Sequence, residues 1–191
     1  MKKEHFYVIG VMSGTSLDGL DLALVEFGLN DDKWSYRFVS TTTKSYSKSW
    51  QKKLEEARYL AVDSLAGLDR DYTTYLAEEI QLFRNQNPTY TIDLVCSHGH
   101  TVHHKPDQGI TFQIGNQKEL SSLLKTTVVC DFRVQDVALG GQGAPLVPGG
   151  EYYLFSEYEA CVNLGGFANI KATKIELKAR EGSAIDLHIE S

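Results

Sequence analysis

The sequence lacks several features that would assign a protein to a class at once. It has no run of eighteen apolar residues, so no segment of it is predicted to cross a membrane as a helix. It also has no excess of positive charge: 19 Lys and Arg are outnumbered by 25 Asp and Glu, and the net charge of -6 argues against nucleic acid as the main partner. These absences predict a protein that acts neither in a membrane nor on nucleic acid.

Cysteine is scarce as well. Cys96, Cys130 and Cys161 are far apart, odd in number and without C-x-x-C spacing, which excludes a disulfide framework and a typical zinc site. Each lies beside apolar residues, so we expect buried thiols in a reducing compartment, the cytoplasm. The short apolar run at 6–12 is broken by Gly10 and lacks a small-residue cleavage site, which predicts a first strand and not a signal peptide.

The hydrophobic pattern predicts an α/β protein. Three strands come in quick succession, and their short connections imply antiparallel pairing. Two helices, a buried strand, a third helix and a further strand follow. The predicted strands are 6–12, 20–27, 34–46, 92–97 and 126–132, and the predicted helices are 47–61, 64–86 and 117–125. The stretch HGHTVHHKPDQGITFQIGN is predicted as loop and short strand, and 139–150 as a Gly-rich loop.

The end of the sequence repeats an earlier pattern. ACVNLGGFANIKAT at 160–173 predicts a strand, a glycine turn and a second strand, as VIGVMSGTSLDG does near the start. We therefore expect one domain at 1–150 and the start of a second at 151–191, with too few residues for a second core.

One polar connection between apolar strands suggests a phosphate site. Ser13 to Gly19 is longer than a two-residue hairpin turn and carries two glycines, hydroxyl groups and a carboxylate. Glycine lets backbone N–H groups approach phosphate oxygens, Thr15 and Ser16 add donors, and Asp18 suits Mg²⁺. No G-x-x-x-x-G-K-[ST] pattern is present. The spacing alone slightly favours a plain hairpin in which Asp18 bonds to its own turn.

Four histidines lie within seven residues at the end of a predicted strand: His98, His100, His103 and His104. Strand alternation would place His98 and His100 on one face. A zinc site would need a third ligand and a typical spacing, so the pattern favours a polar loop at the edge of a cleft. A metal-dependent hydrolase is the alternative, and it predicts stoichiometric zinc.

A second polar cluster, DFRVQDVALGGQGAP at 131–145, directly follows a buried strand. Asp131 and Asp136 could share a site, and Arg133 could neutralise either carboxylate or hold an anionic ligand. Gln142 stands between glycines, where the backbone can approach a ligand. An Asp–Arg pair that only holds the loop is the alternative, but so many polar groups favour a ligand site.

Five stretches together resemble a known family. They are, in order, GVMSGTSLDGLDLALVEF, SHGHTVHHKP, TFQIGN, DFRVQDVALGGQGAPLVP and NLGGFANI, and they cover most of residues 8–170. They resemble the anhydro-N-acetylmuramic acid kinase family, one of the two-lobed ATP-binding folds of the sugar kinase, heat-shock-70 and actin group. The resemblance implies a ribonuclease-H-like, actin-type ATPase lobe with a mixed five-stranded sheet and flanking helices, followed by the start of a second lobe.

The resemblance also implies a reaction and a set of site residues. Members use ATP and Mg²⁺ to open 1,6-anhydro-N-acetylmuramic acid with water and phosphorylate it, giving N-acetylmuramic acid 6-phosphate in cell-wall recycling. The implied ATP-phosphate residues are Gly14, Thr15, Ser16, Leu17, Asp18, Gly19, Leu20 and Asp21, with Asn163, Gly165 and Gly166 in a second phosphate loop. The implied sugar-side candidates are His98, Gln113, Arg133, Asp136 and Gln142, and Asp18 is the Mg²⁺ candidate.

The sequence departs from the family after NLGGFANI. The family's general-base aspartate is not recognisable, and the neighbours of Asp186 do not match it. Because phosphoryl transfer needs both sides of a closed cleft, we expect this chain alone to be a poor kinase. A sugar- or nucleotide-sensing module of the same fold is the alternative. An exposed half-interface would favour self-association as a homodimer.

Overall fold

A computed structural model describes residues 4–164, 168–172, 176–179 and 185–188, with side chains up to residue 162. The chain divides into two compact units, Met1–Val147 and Pro148–Ser191. The strands are β1 (His5–Ser13), β2 (Gly19–Asn30), β3 (Lys33–Ser45), β4 (Leu94–Lys105), β5 (Ile110–Ile114), β6 (Thr127–Cys130), β7 (Ala160–Leu164), β8 (Ala168–Ala172), β9 (Glu176–Ala179) and β10 (Ile185–His188). The α-helices are α1 (Lys48–Glu56), α2 (Val62–Gln86), α3 (Glu119–Leu124), α4 (Val134–Ala138) and α5 (Leu146–Leu154), and a 3-10 turn covers Ala57–Tyr59.

The first unit is built on a mixed sheet, as predicted. Its strand order is β3-β2-β1-β4-β5, with β6 also beside β4. β1, β2 and β3 are antiparallel neighbours, whereas β1, β4 and β6 run parallel. The carboxyl ends of these three parallel strands therefore meet at one edge of the sheet, the edge where open α/β sheets bind their ligands.

The sheet holds the five predicted strands and, in addition, the short strand β5, and β4 is longer than predicted. Its first half pairs with β6 and its second half pairs with β5, in the segment predicted as loop and short strand. The prediction of a Gly-rich loop over 139–150 also needs correction, since α5 begins at Leu146. Among the described helices, none is long and apolar enough to span a membrane.

The core lies between the sheet and α2. The long helix presents apolar residues at helical spacing, and its central ones are fully buried against the first two strands. The buried side chains at this contact are Tyr72, Leu76 and Ile80 from α2, with Ile9, Leu20 and Leu24 from β1 and β2. Ser47 caps α1 by accepting a hydrogen bond from the Trp50 N–H.

A bulge in β4 changes which way its histidines face. β1 pairs Val11 with Ser97 and then Ser13 with His100, so β4 holds one residue more than β1 between these pairs. Gly99 supplies the left-handed backbone, with φ of 70°. His100 thus lies on the helix-covered face and His98 on the opposite face. The prediction that the two imidazoles share one face was wrong, because strand alternation assumes an unbroken ladder.

The second unit contains two pairs of antiparallel strands. β7 pairs with β8 in antiparallel register, and β9 pairs with β10. The strand–turn–strand prediction for 160–173 is confirmed for both strands. The turn between them lies outside the described residues.

Candidate functional site

The loop after β1 is held in a defined shape by its own polar groups. The Leu17 N–H donates to the Gly14 carbonyl at 3.4 Å, and Leu17 has a left-handed backbone with φ of 59°. From α1, Gln51 Nε2 donates to the Leu17 carbonyl at 3.1 Å. The N–H groups of Thr15 and Ser16 make no hydrogen bond to any described residue. The loop therefore has backbone donors free for an anion, as a phosphate loop needs.

Asp18 is exposed, and its hydrogen bonds keep it ionised. The Ser16 hydroxyl donates to Asp18 Oδ1 at 2.6 Å, and the Gly19 N–H donates to the same oxygen at 3.0 Å. The Ser16 bond is the main reason why the pKa of Asp18 lies below its ordinary value. Ser16 thus donates to Asp18 and not outward as the sequence predicted. An exposed, ionised carboxylate beside free N–H groups suits a magnesium–phosphate ligand.

A cavity of about 400 Å³ joins this loop to β4. Thr15 and Leu17 line it from the loop, and His100, Thr101 and His104 line it from the strand. Val102 also lines it from the strand, and the remaining walls come from α1 and the 3-10 turn: Leu54, Glu55 and Arg58. The phosphate loop and the histidine-rich strand, whose lining residues are more than 80 positions apart in sequence, therefore face one space.

Arg133 links the second polar cluster to β4. Its Nε donates to His98 Nε2 at 2.9 Å, and its Nη1 donates to the Gly143 carbonyl at 2.7 Å. Since His98 Nε2 accepts, its Nδ1 carries the proton and donates to the Gly99 carbonyl at 3.0 Å. Burial is the main cause that lowers the pKa of His98, and Arg133 lowers it further. His98 is therefore a neutral acceptor.

Asp136 holds the glycine loop and does not pair with Arg133. Its Oδ2 accepts from the Gly143 N–H at 2.6 Å, and its carbonyl accepts from the Gly141 N–H at 2.8 Å. Gln142, between those glycines, is exposed. The structure thus brings together His98, Arg133 and Asp136, but it gives Asp136 a loop-shaping role.

Gln113 lies on β5 and connects to the histidine strand. Its Nε2 donates to Thr111 Oγ1 at 2.9 Å, and the same hydroxyl lies 3.2 Å from His104 Nδ1. Gln113 is 4% exposed, and its Oε1 has no partner among the described residues. A buried acceptor without a partner is costly, which makes this oxygen a point where water or a ligand donor would bind.

A second cavity of about 640 Å³ lies on the sheet face away from α2. Asp21, His98 and Phe132 line it. The other lining residues are three consecutive threonines and neighbouring residues of β1, β2 and β4: Thr41, Thr42, Thr43, Gly10, Val11, Met12, Leu22, Ala23 and Cys96. Thr43 Oγ1 donates to Asp21 Oδ1 at 2.5 Å. Asp21 thus lies on the opposite face from His100. Leu20 is fully buried in the core, and Gly19 is buried too.

Sequence reasoning missed a buried polar chain beneath the loop. Ser13, Tyr46, Tyr72 and His100 are each at most 5% exposed and are joined by hydrogen bonds. Tyr72 lies on the apolar face of α2, where helical spacing indicates a core position but gives no signal for a partner of its hydroxyl. Only the packing of α2 on β1 reveals it.

The histidine cluster does not form a metal centre in the part of the chain that the structure describes. Within it, no three His, Cys, Asp or Glu side chains are grouped to hold an ion. The predicted second phosphate loop is described only in part: Asn163 belongs to β7, while Gly165 and Gly166 lie outside the described residues.

Comparison with known proteins gives one consistent result. Residues 6–180 match the model of the anhydro-N-acetylmuramic acid kinase family. The chain is similar to proteins named anhydro-N-acetylmuramic acid kinase from several bacteria. It is 39% identical to the one from Pseudomonas savastanoi pv. phaseolicola, 39% to the one from Zymomonas mobilis subsp. mobilis and 40% to the one from Colwellia psychrerythraea. The alignments cover 86%, 85% and 87% of this chain, and 46%, 48% and 44% of those relatives. The chain thus spans about half the length of the curated relatives, in their N-terminal portion.

Proposed function

Because this chain belongs to the anhydro-N-acetylmuramic acid kinase family, we propose that the protein uses ATP and Mg²⁺ to open and phosphorylate 1,6-anhydro-N-acetylmuramic acid. The observation that carries the proposal is the cavity of about 400 Å³ that the loop residues Thr15 and Leu17 share with β4. In it, a phosphate group on the loop and a sugar at the strand would lie side by side.

Different residues of the loop after β1 would bind the phosphate groups and Mg²⁺. The free N–H groups of Thr15 and Ser16 would bind phosphate oxygens, and ionised Asp18 would hold Mg²⁺ directly or through water. When bound, ATP–Mg²⁺ supplies the phosphoryl group and the charge that neutralises it. The product would be N-acetylmuramic acid 6-phosphate, formed after water opens the anhydro bridge.

Arg133 does not line the cavity of about 400 Å³, but Gly143, whose carbonyl it binds, lies beside His104, which does. Arg133 would therefore bind a group of the sugar at the edge of the cavity. Two neutral acceptors, His98 Nε2 and the Gly143 carbonyl, orient the guanidinium without neutralising it. A cation held in this way is suited to a carboxylate on the substrate, and N-acetylmuramic acid carries one on its lactyl group. Gln113 and Gln142 remain candidates for sugar hydroxyl groups. The base that activates water is not among the residues we assign.

Titration calorimetry of ATP–Mg²⁺, and then of the anhydro-sugar, tests this function. We expect Asp18→Asn to weaken ATP–Mg²⁺ binding at least about 10-fold, since it removes the charge that faces the metal. Asp107→Asn, an exposed carboxylate after β4, is the matched control and should bind as the unchanged chain does. If both variants bind ATP–Mg²⁺ equally well, Asp18 is not part of the binding site.

A turnover assay separates catalysis from sensing. The 191-residue chain should phosphorylate the sugar poorly, because phosphoryl transfer depends on groups from both sides of a cleft. A protein that joins this chain to the C-terminal half of one of the relatives should turn over. Binding without turnover in that protein would favour the sensing module. A cytoplasmic location and a homodimer also stay proposals, to be tested by fractionation and light scattering.

A further inference from the structure

Four buried polar side chains form a continuous chain that the proposed function does not use. The Tyr72 and Tyr46 hydroxyls are 2.7 Å apart, Tyr46 OH donates to Ser13 Oγ at 2.8 Å, and Ser13 Oγ lies 2.9 Å from His100 Nδ1. The Tyr72 and His100 rings also pack edge to face, with their centroids 6.2 Å apart. These hydrogen bonds therefore run from the middle of α2 to the middle of β4 and pass through Ser13, the last residue of β1.

Counting protons fixes the direction of this chain. Each hydroxyl has one proton, and Tyr46 gives its own to Ser13. Tyr72 must then donate to Tyr46, and Ser13 is left to donate to His100 Nδ1. In the opposite direction Ser13 would donate to Tyr46 and Tyr46 to Tyr72, which is contrary to the bond from the Tyr46 hydroxyl to Ser13 Oγ.

The direction decides what His100 offers to a ligand. Burial lowers the pKa of His100 to about 4, so the ring is neutral at pH 7. A neutral imidazole whose Nδ1 accepts a hydrogen bond carries its proton on Nε2. His100 lines the cavity of about 400 Å³ beside Thr15 and Leu17. Its Nδ1 is occupied, which leaves the Nε2–H group for that cavity.

We propose that His100 is a ligand-binding residue whose Nε2–H donates to an oxygen atom of the ligand, and that Ser13, Tyr46 and Tyr72 are positioning residues that fix this tautomer. The acceptor is a phosphate oxygen of the nucleotide or a hydroxyl oxygen of the sugar, and the two ligands are separate arms of the test. The ligand contact rests on the proposed function, whereas the tautomer does not.

The tautomer is tested first, on the unliganded 191-residue chain. Long-range nitrogen–proton NMR of ¹⁵N-labelled histidines, with His100→Gln to assign the signal, should show the proton on Nε2. In Ser13→Ala the donor to Nδ1 is gone, so no hydrogen bond holds the proton on Nε2 and the spectrum should shift toward a mixture of tautomers. A proton on Nδ1 of His100 in the unsubstituted protein would overturn the proposed direction of the hydrogen bonds.

The contact is tested by adding ATP–Mg²⁺ and the anhydro-sugar separately. The Nε2 proton signal of His100 should shift when one of these two ligands is added, and that ligand carries the oxygen atom that accepts the hydrogen bond. His100→Gln keeps an acceptor and an N–H donor and should bind within about 3-fold, whereas His100→Phe should bind that ligand about 10-fold more weakly. If a ligand binds without moving the Nε2 proton signal of His100, the contact between His100 and the ligand is wrong, but the tautomer of His100 is unaffected. If the unchanged chain binds neither ligand, the proposed function of this site fails as well.

Discussion

Arg133 Nε donates to His98 Nε2 at 2.9 Å, so the cation of the second polar cluster is held by a neutral imidazole and not by a carboxylate. No described carboxylate forms a salt bridge with Arg133, and Asp136 bonds instead to the Gly143 N–H. Burial lowers the pKa of Arg133, as expected for a cation without a counter-charge. The positive charge is thus available to an anionic ligand.

Replacing Arg133 with lysine should weaken both stability and sugar binding. Lysine keeps the charge, but one ammonium cannot reproduce the two directed bonds to His98 and Gly143. We expect a loss of about 1–2 kcal/mol in the free energy of unfolding, measured by urea denaturation. Arg70→Lys, at an exposed position of α2, is the control. Equal stability of both variants would show that Arg133 does not hold the loop.

Gly141→Ala should disrupt the glycine loop. A Cβ at this position would overlap the Asp136 carboxylate, which also holds the Gly143 N–H. We expect weaker sugar binding and a lower melting temperature, measured by calorimetry. At Gly149 a Cβ would meet nothing within 4 Å, so Gly149→Ala should be neutral or slightly stabilising in a helix. A Gly141→Ala variant that binds the sugar and melts as the unsubstituted protein does would contradict the close contact between Gly141 and Asp136.

His100 should make the chain less stable in mild acid. Burial is the main cause that lowers its pKa from 6.5 to about 4, and nearby His98 adds to the effect. Between these values the unfolded chain binds a proton that the folded chain does not, so stability rises with pH across this window and is lost as pH falls. The contribution is up to about 3 kcal/mol.

Urea denaturation between pH 7 and pH 4 measures this effect. Carboxylates also titrate there, so the informative quantity is the difference from His100→Gln, which cannot take up the proton. If the variant is the less stable protein at pH 7, the two curves of unfolding free energy against pH should converge or cross as pH falls. Parallel curves would mean that His100 is protonated equally in both states.

Asp69 should matter more to stability than its neighbour Asp71. The buried Asp69 carboxylate accepts from the Gly115 N–H at 2.7 Å and from Gln117 Nε2 at 2.8 Å, which fixes the turn after β5 on α2. Asp69→Ala leaves the buried Gly115 N–H without a partner, at a cost of about 1–3 kcal/mol. Asp71→Ala removes only an exposed pair with Lys53 and should cost less than about 0.5 kcal/mol. Thermal melts of the two variants compare these costs directly.

The order of elements could be predicted because it depends on local patterns. The apolar spacing of α2 and the alternation of the first three strands do not need the rest of the chain to be interpreted. The length of β4 could not be predicted, since its polar second half becomes a strand only by pairing with β5. The same holds for the bulge at Gly99, which depends on the register against β1.

The sequence by itself determined the α/β class, the family and the polar segments that meet at the sheet edge, because motifs and periodicity are properties of neighbouring residues. The tertiary structure alone decided which side chains are paired. It separated His98 from His100, bound Arg133 to an imidazole in place of an aspartate, and buried Tyr46, Tyr72 and Ser13 in one hydrogen-bonded chain. Such partners lie far apart in sequence, and each bond forms only because packing removes the water that would otherwise satisfy these groups.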